Sequence, residues 1–594
     1  MMIQRLWSVT SKRSRPLRQV RRCYEDVAPL KLQRVWGKEL KGAEDVHSVL
    51  ALFEKNGSRF EARNLTTVAH RVAKRWGKAM KGDGRMEQLA EVLERRLEDG
   101  CARDLALTAW AFAKTGIVHK KLFEKITQEV VLKIRDFNPQ DLSNTAWAYA
   151  TLEVADKELF GAIANEVPKQ INRFNTQDLA NTVWAFGVAK MDFPDLFEAV
   201  AKEILQNFSL RDFTSQSLAN AAWAFATMKV ESPELFRRIA DEGITRPRQF
   251  STLSLANLAW AFATADIDSP KLFRTIASET LRRRSDFTSQ AMTHIAWAFT
   301  TLNIKDALLY NAILREAPKR IKEFSPHNIA TLAWAYSEAG FRSPHIFNAM
   351  ARDAPRRIDT FSSQDLCVTA EAFATAAVAA PWTLFDAIAT EALKRDDISS
   401  DDATRLLWAF ACVNYEQNYD IFAHFAPKAA DSNAQKLYLA ALYAQSENAE
   451  LPLDMESLRA AYVAEDSLAL SPFQLEVSTM LEDIGWTHER QHRTPEGLCL
   501  DLAQPDAKVA VQVDEPSRFL REAAGGDYSL DGATQFKLRL LRKEGWKIVS
   551  VSFLDWEKKT DLDDRRQLLL EKIEATSNNN EPPPAPPGKK DQLL

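Results

Sequence analysis

The sequence predicts an all-α fold, a right-handed α-solenoid of about nine helical-hairpin repeats with a period of 37 residues, followed by a small α/β module. The string AWAFA, or a close variant, recurs at regular intervals, and a Leu-Phe pair and a further aromatic residue keep step with it. Repetition at such a period is typical of stacked hairpins, each of which buries its apolar face against the next. The tryptophans of the string are Trp110, Trp147, Trp184, Trp223, Trp260, Trp297, Trp334 and Trp408.

The spacing of the tryptophans defines the repeats. It is 37 or 39 residues, except for one interval of 74 in which Glu371 stands where a tryptophan is expected. A degenerate upstream copy has His70 at that position, and a divergent first copy is typical of the cap of a repeat array. Because Glu371 lacks the aromatic ring, we expect it to mark the weakest joint of the stack.

Each repeat contains two predicted helices. The outer helix, for example SPELFRRIADEGI, begins at a Ser-Pro pair and has a single apolar stripe. The inner helix, for example TSQSLANAAWAFATM, opens on Thr or Ser as the N-cap and is then apolar nearly all round. The pattern therefore predicts a covered inner helix whose tryptophan is a core residue that sets the distance between repeats.

A basic residue recurs at the end of the outer helix, about twelve residues before each tryptophan. Stacked repeats would align these cations into one stripe that suits a phosphate backbone. The alternative is that the cations only complement the dipole at the C-terminus of their helix. The residues are Arg135, Arg173, Arg211, Arg248, Arg284, Lys322, Arg357 and Arg395.

Polar side chains also recur at the start of the inner helix. One set lies seven residues before the tryptophan and comprises Gln140, Gln177, Gln216, Gln290, His327 and Gln364, with Leu253 as the exception. A second set, three residues before the tryptophan, comprises Asn144, Asn181, Asn220 and Asn257. Amides can hydrogen-bond base edges, as in repeats that bind single-stranded RNA. The alternatives are a contact back to the helix start for glutamine and an inter-repeat hydrogen bond for asparagine.

The pattern changes after the repeats. A polar linker is predicted over 447–471 and an α/β module over 472–560, in which FQLEVSTMLEDIGW is an amphipathic helix and GLCLDLA, KVAVQVD and KIVSVSF are strands. The helix GATQFKLRLLRKEGW ends at Gly545. A Pro-rich tail over 577–594 is expected to be disordered.

The repeat motifs FNPQDLSNTAWAYATL, FNTQDLANTVWAFGVA and FSSQDLCVTAEAFATA resemble the octotricopeptide repeat of algal organelle proteins and the similar heptatricopeptide-type repeat of apicomplexan organelle proteins. The resemblance covers about residues 60–430 and implies that the repeats face single-stranded RNA. The C-terminal module resembles a RAP domain, found in the FAST kinase-like family of organelle RNA-processing proteins, through LDLA at Asp501, VQVDEPSRF at Asp514 and GW at Gly545.

The RAP resemblance implies a restriction-endonuclease-like fold, whose nucleases hold a divalent metal through acidic residues. Asp501 and Asp514 are the weak candidates for that role, and no other catalytic residue and no metal ligand is expected. Gln512 and Arg518 replace an acid and a histidine of the family pattern, and a neutral amide is a poor ligand for Mg²⁺. The sequence thus leaves enzyme activity uncertain, with a protein that is not an enzyme favoured.

The N-terminal segment 1–24 is rich in arginine and serine and contains no acid, which is typical of an organelle transit peptide. A helical cap with the degenerate repeat is predicted over 25–100 and the repeat array over 101–446. The net charge of −4 requires any nucleic-acid contact to come from local basic stripes. The five scattered cysteines predict neither disulfides nor a zinc site, and no segment is apolar enough to span a membrane.

We therefore expect a single-stranded RNA-binding protein of the mitochondrion or plastid, in the matrix or stroma. Its role would lie in RNA processing, stability, rRNA maturation or translation, with organellar mRNA or rRNA and other RNA-processing proteins as partners and with no cofactor. The sequence leaves two alternatives open, a metal-dependent endoribonuclease acting through the RAP domain and a protein-binding α-solenoid scaffold. It does not predict the oligomeric state.

Overall fold

The computed structural model describes residues 27–378, 382–415, 420–429, 433–465, 469–522 and 528–578. These residues form two compact units, the first ending at Thr275 and the second beginning at Ile276. The predicted transit peptide and all but the first two residues of the predicted Pro-rich tail lie outside the described residues. None of the described helices combines the length and the apolarity that a bilayer crossing demands.

The first unit is a series of helical hairpins. Inner helices pack on inner helices along the series, from Ala102–Thr115 onto Pro139–Thr151 and onward to Thr252–Thr264. The boundary with the second unit falls within Pro270–Arg282. The helices before it are Leu30–Gly42, Val46–Asn56, Ala62–Trp76, Gly84–Arg96, Ala102–Thr115, Lys120–Lys133, Pro139–Thr151, Lys157–Glu166, Thr176–Ala189, Pro194–Asn207, Ser215–Thr227, Pro233–Thr245 and Thr252–Thr264.

The inner helices begin where the capping chemistry predicts. The side chain of Asn138 accepts a hydrogen bond from the amide of Asp141, and Thr214 and Ser251 cap their helices in the same way. Each such cap satisfies one of the amides that the first turn of a helix leaves unpaired. Short 3₁₀ segments such as Pro247–Gln249 lead from the outer helix into the next inner helix.

The aromatic core comes from a different residue than predicted. The aromatic two positions after each tryptophan is fully buried, as Tyr149 and Phe186 are. It packs edge-to-face on the outer-helix Leu-Phe landmark, with ring centroids 5.0 Å apart for Phe123 and Tyr149 and also for Phe160 and Phe186. Edge-to-face geometry is the favourable arrangement for such ring pairs. The core residues that fix each hairpin are therefore these phenylalanines and tyrosines.

The second unit continues the hairpins. Its inner helices also pack in series, and Tyr310 lies edge-to-face on Tyr336 at 5.1 Å. A two-residue strand β1, Phe341–Arg342, follows one of the inner helices. The repeat helices are Ser289–Thr301, Ala307–Glu316, Pro326–Glu338, Pro344–Asp353, Ser363–Thr375, Trp382–Ala392, Ser400–Cys412, Asp420–Ala429 and Ala434–Ser446. The stretch predicted as a polar linker contains a further helix, Met455–Glu465, in which Tyr462 packs on Tyr438 with ring centroids 5.2 Å apart.

The α/β module is confirmed. A mixed sheet has the strand order β2-β3-β4-β7, in which β4 and β7 are parallel and the other neighbouring pairs antiparallel. The helix, two strands, helix and strand predicted from the sequence are all present in that order, and three further strands accompany them. The elements are Pro472–Asp483, β2 (Glu489–Arg493), β3 (Cys499–Gln504), β4 (Val509–Asp514), β5 (Phe519–Glu522), β6 (Tyr528–Leu530), Gly532–Lys543, β7 (Lys547–Ser552), Phe553–Glu557 and Leu562–Asn578.

The module is docked on the repeats of the same unit. Strand β5 pairs in parallel with β1, and the amide of Arg521 donates to the carbonyl oxygen of Gly340 at 2.9 Å. Arg539 donates to the carbonyl oxygens of Ala411 at 2.5 Å and Cys412 at 3.1 Å, at the end of an inner helix. The Ala411 carbonyl also accepts from the amide of Asn414 at 3.1 Å, so the arginine adds a side-chain donor from another domain to the end of this helix.

Candidate nucleic-acid interface

One face of each inner helix is open to solvent. In Pro139–Thr151 the only residues that are not buried are Gln140, Asn144, Trp147 and Thr151. Their spacing of four, three and four residues places them on a single side of the helix. We call this line of side chains, repeated along the inner helices of a unit, the inner-helix band.

The tryptophans belong to this band, and most of them are partly exposed where full burial in the core would leave no open surface. Trp110, Trp147, Trp184, Trp223 and Trp260 of the first unit are all partly exposed, as are Trp297 and Trp334 of the second. Trp408 is the exception, with 4% of its surface exposed. The spacing held the signal, since the glutamine, asparagine and tryptophan positions share one helix face while Tyr149, two residues after Trp147, points to the opposite side.

The tryptophan rings lie close to other aromatic rings and to a lysine ammonium group. Trp223 and Trp260 lie with ring centroids 6.1 Å apart, and the ring of His70 lies 5.3 Å from that of Trp110. The ammonium group of Lys114 lies 5.0 Å from the centroid of Trp147 and 5.8 Å from that of Trp110. Cations attract the faces of aromatic rings, so the first unit presents aromatic and cationic groups on one surface.

The glutamine position is exposed in every repeat in which it was predicted, namely at Gln140, Gln177, Gln216, Gln290, His327 and Gln364. Among the described residues, no protein group hydrogen-bonds the five glutamine amides, so the contact back to the helix start is not formed. His327 differs, because its Nδ1 lies 3.0 Å from Oδ1 of Asp365 in the next repeat. Leu253 leaves an apolar side chain 48% exposed at this position.

The asparagine position is partly exposed as well. In the described part of the first unit, the side chains of Asn144, Asn181, Asn220 and Asn257 make no inter-repeat hydrogen bond. Buried amides are normally hydrogen-bonded, whereas these retain their donors and acceptors for solvent or a ligand. Both amide positions therefore present free hydrogen-bonding groups beside the tryptophans.

Buried carboxylates recur in the first turn of the inner helices, as at Asp141 and Asp178. Asp178 accepts a hydrogen bond from the hydroxyl of Ser143 in the preceding repeat at 3.1 Å and caps its own helix together with Asn175. Burial raises the pKa of Asp178, and burial likewise raises the pKa of Asp141. Desolvation disfavours the ionised form of a carboxyl group, so these acids belong to the packing of the stack.

Six of the predicted cations are exposed at the turn that leads into the inner helix: Arg135, Arg173, Arg211, Arg248, Arg284 and Lys322. The guanidinium group of Arg211 lies 3.9 Å from Glu242, and that of Arg284 lies 3.2 Å from Glu316. Such exposed pairs are weak and screened by salt. These six side chains remain accessible to an anionic ligand.

Arg357 and Arg395 differ from these six, because both are engaged within the protein. Arg395 donates to the carbonyl oxygen of Phe361 in the preceding repeat at 2.6 Å, and Arg357 donates to that of Ile321 at 3.3 Å. Both are half-buried and paired with an acid of their own helix, Glu391 and Asp353. A main-chain carbonyl and a nearby carboxylate satisfy the guanidinium group, so it is not free for phosphate.

Sequence reasoning missed the rest of this structural set. Lys133, Gln170, Arg246 and Arg320 donate to main-chain carbonyls of the preceding repeat in the same way, for example from Gln170 to Phe137 at 2.9 Å. The number of residues before the tryptophan position separates most of them: these four and Arg357 lie fourteen residues before it, and the exposed cations lie eleven to thirteen before it. Arg395, at thirteen, is the exception.

Glu371 occupies the tryptophan position of its repeat as an ion-paired group. Its carboxylate lies 3.7 Å from Arg405 and is bonded to Lys436. The ammonium group of Lys436 also lies 5.0 Å from the ring centroid of Trp408. Charge pairing thus replaces aromatic contact at this joint of the second unit.

In the RAP-like module, Asp501 and Asp514 come together with Arg518 between them. The guanidinium group lies 3.5 Å from Asp501 and 3.8 Å from Asp514. Asp501 also accepts from the amide of Val513 at 2.8 Å, and Asp514 accepts from the hydroxyl of Ser550. Burial raises the pKa of Asp514, with Ser550 and Arg518 acting in the opposite direction.

This arrangement places one cation between the two acids and offsets part of their negative charge. Gln512 is buried beside them, and among the described residues its Nε2 has no hydrogen-bond partner. A search of the described residues finds no group of three or more His, Cys, Asp or Glu side chains that could hold a metal ion. The residues present therefore fit a buried ion-pair cluster better than a divalent metal site.

Comparison with known proteins identifies both parts of the chain. The family of the RNA-editing substrate-binding complex 6 protein matches residues 53–268 and 248–435, and the RAP domain family matches residues 511–572. A curated rice protein (Oryza sativa subsp. japonica), the "RAP domain-containing protein, chloroplastic", is 34% identical over 87 residues. That match covers 15% of this chain and only 13% of the rice protein. Because the first match extends over more than half of the sequence, the chain belongs to the RNA-editing substrate-binding complex 6 protein family, and it carries a C-terminal RAP domain.

Proposed function

We propose that the protein binds single-stranded RNA along the inner-helix band and acts in RNA processing, stability, rRNA maturation or translation in a mitochondrion or plastid. The observation that carries the proposal is the exposed row of unengaged amides with accessible cations at its edge. Single-stranded RNA is bound through base edges, aromatic stacking and backbone charge. The band supplies groups of all three kinds, and the RNA-related name of the family supports this choice of ligand.

The six exposed cations at the start of the inner helices, which we call the cationic edge, provide the first test. Reversing Arg211, Arg248 and Arg284 to glutamate together should weaken binding of a single-stranded RNA oligonucleotide at least tenfold at low salt. The slope of log K against log salt should become shallower by about 2, since each phosphate contact on a single strand contributes about 0.7. Fluorescence anisotropy over a salt series measures both quantities.

A matched control carries the same change of net charge away from the band. Lys120, Lys157 and Lys202 are exposed on outer helices, so their reversal to glutamate leaves the band intact. This control should lose far less affinity than the first variant. Equal losses in the two variants would mean that only the overall charge matters, and unchanged binding in the first would exclude the cationic edge as a phosphate site.

The organellar location is a separate part of the proposal. It is supported by the Arg-rich, acid-free segment 1–24 and by the word "chloroplastic" in the name of the rice relative. Fusion of residues 1–24 to a fluorescent reporter should direct it into a mitochondrion or a plastid, and fluorescence microscopy distinguishes the two. A reporter that stays in the cytosol would contradict the assignment.

RNA cleavage by the RAP domain takes second place, because the cationic side chain of Arg518 already lies between Asp501 and Asp514. We expect RNA incubated with the protein and Mg²⁺ to remain intact. Cleavage that Asp514→Asn abolishes, in a variant that still binds RNA, would reverse this order.

A further inference from the structure

The repeat of Glu371 folds without an aromatic side chain at the tryptophan position. The repeat that carries Glu371 there still forms an inner helix of thirteen residues, Ser363–Thr375. Its core pair, Phe347 and Phe373, lies edge-to-face at 4.8 Å, as close as the 5.1 Å pair in the repeat of Trp334. Packing within the hairpin therefore does not account for a tryptophan in the other repeats.

The first unit leaves a tryptophan partly exposed at this position on five successive inner helices. We call Trp110, Trp147, Trp184, Trp223 and Trp260 the tryptophan ladder. Aromatic surface that stays partly in water costs free energy, and a row of it along one surface is a candidate binding site. Each ring has an asparagine or a leucine three residues before it on the same helix face, and four of the five have asparagine.

The chemistry around the ladder favours a nucleic-acid base as the occupant. A base offers a flat π-face for the indole ring and polar edges for the neighbouring amides, and its phosphate suits the cations at the start of the helix. Lys114 lies between the rings of Trp110 and Trp147 and adds positive charge within the ladder itself. An apolar peptide would leave these amides and cations without partners, at a cost in desolvation.

We infer that the tryptophan ladder of the first unit stacks on the bases of single-stranded RNA and provides base-dependent, sequence-tolerant affinity. This inference rests on the proposed function and names the groups that bind the bases. Stacking accepts every base because each has a π-face. Discrimination between bases is then left to the amide positions, while the cations contribute affinity that depends on salt and not on the base.

The test separates bases from phosphates. The variant Trp147→Leu with Trp184→Leu keeps apolar, helix-compatible side chains at both positions, and Glu371 shows that such a helix tolerates the loss of the ring. Binding is measured by fluorescence anisotropy with two probes of twelve nucleotides. One is RNA of random sequence, and the other is a strand of abasic ribose phosphates with the same length and charge.

The wild-type protein should prefer the base-bearing strand, and the double leucine variant should bind that strand about 25-fold more weakly, since loss of one stacking ring costs about 5-fold or more. Its affinity for the abasic strand and its salt dependence should stay unchanged. The variant Trp147→Phe with Trp184→Phe retains π-faces and should keep most of the preference. It also serves if the leucine variant proves poorly folded by circular dichroism.

The outcomes distinguish base stacking by the tryptophan ladder from RNA binding itself. Equal losses on the two strands, or unchanged binding of both by the leucine variant, would overturn the stacking role while leaving RNA binding in place. A phenylalanine variant that loses the preference as fully as the leucine variant would overturn it as well. A wild-type protein that binds neither strand would instead refute the proposed function itself, and capture of a peptide ligand by the ladder would then be the outcome to pursue.

Discussion

The guanidinium group of Arg246 donates a hydrogen bond of 3.1 Å to the main-chain carbonyl oxygen of Phe213, which belongs to the preceding repeat. The same group donates to Leu210 at 2.8 Å and is held by Glu242 at 2.7 Å. The backbone leaves helical geometry at Arg246, with φ −132° and ψ 51°, so the side chain reaches across the joint. One polar side chain at this position therefore ties consecutive hairpins together.

Arg246 and Arg248 should have separate roles, Arg246 in the stability of the first unit and Arg248 in RNA binding. Arg246→Ala removes charge-assisted hydrogen bonds at a half-buried joint and should destabilise the first unit by about 1–3 kcal/mol. Arg248→Ala changes an exposed side chain and should stay within about 0.5 kcal/mol of wild type. Hydrogen exchange of the amides in Ser215–Thr227 and Pro233–Thr245 measures the local effect.

RNA affinity should show the reverse order in the same two variants. Arg248→Ala should weaken binding and reduce its salt dependence, whereas Arg246→Ala should leave the salt dependence unchanged once the protein is folded. The pair lies two residues apart in the chain, so each variant is the control for the other. Comparable effects of both variants in either assay would contradict the division.

The period, the helix order and the caps were predictable from the sequence because they depend on local chemistry. Asn138, Thr214 and Ser251 are N-caps by residue type, and a 37-residue period admits little besides stacked hairpins. The small α/β module followed in the same way from the short runs of β-branched residues that form β4 and β7.

The open face of the inner helix was harder to predict, since a helix that is apolar nearly all round gives no contrast between its faces. Trp223 and Phe225 are both aromatic, and two residues correspond to about 200° around a helix, so only one of them faces the hairpin core. What covers each side is decided by contacts with other repeats. The same holds for Arg395, whose partner carbonyl at Phe361 lies 34 residues away.

The ion-pair partners in the RAP domain could not be predicted from the sequence either. Asp501 and Arg518 stand far enough apart in the chain that only the sheet register brings them to 3.5 Å. The sequence therefore shows a pattern of acids typical of a nuclease fold, but not that the guanidinium group of Arg518 lies between Asp501 and Asp514.

Asp178→Asn should change the pH dependence of stability. Because burial raises the pKa of Asp178 above its ordinary value of 3.8, the folded protein binds this proton more tightly than the unfolded chain does. The wild-type free energy of unfolding thus includes a contribution that is present below pH 3.8 and is lost as the pH rises through the folded pKa. The variant, which still accepts from Ser143, lacks this loss.

The difference in Tm, variant minus wild type, should therefore increase as the pH is raised from 4 to 7. Calorimetry at several pH values at constant ionic strength measures it. Ser143→Ala removes the hydroxyl that opposes the effect of burial on the pKa of Asp178, and should make the wild-type trend steeper. A difference in Tm that does not change with pH would show that Asp178 titrates alike in both states.

Arg518→Met should destabilise the RAP domain at neutral pH by about 3 kcal/mol, because it leaves two buried carboxylates without their counter-ion. The pKa of Asp514, already raised by burial, should rise further. The folded domain then gains stability from binding a proton as the pH falls toward 3.8, so the deficit of the variant should shrink between pH 7.5 and pH 5.5.

Hydrogen exchange of β3 and β4, corrected for the intrinsic effect of pH, measures this deficit. Arg521→Met offers a control, since Arg521 lies on the surface of the same domain and its side chain is exposed. A deficit for Arg518→Met that is equal at the two pH values would contradict coupling between the guanidinium group and Asp514.

Arg539→Ala should loosen the RAP domain from the repeats. The side chain caps the carbonyls of Ala411 and Cys412 and lies 5.1 Å from the ring centroid of Phe536. Loss of these contacts should cost about 2 kcal/mol. Faster hydrogen exchange should appear in both Ser400–Cys412 and Gly532–Lys543, whereas protection confined to the RAP sheet should persist. An unchanged pattern would mean that the other contacts, among them the β1–β5 pairing and the bond from Tyr438 to Glu496, hold the two parts without Arg539.

Glu371→Gln should move stability and RNA affinity in opposite directions. In the folded protein the Glu371 carboxylate is paired with Arg405 and Lys436, so its loss should weaken that joint by about 1 kcal/mol. The same change removes a negative charge from the inner-helix band and frees two cations, which should tighten RNA binding and steepen its salt dependence. Hydrogen exchange of Ser400–Cys412 and Ala434–Ser446 measures the change in stability, and fluorescence anisotropy over a salt series measures the change in RNA affinity.

Asp386→Asn serves as a control in which one negative charge is lost away from the band, because Asp386 lies on an outer helix, where its carboxylate is bonded to Tyr415. Tighter RNA binding by both variants would assign the gain to overall charge, and tighter binding by Glu371→Gln alone would place the RNA beside this joint.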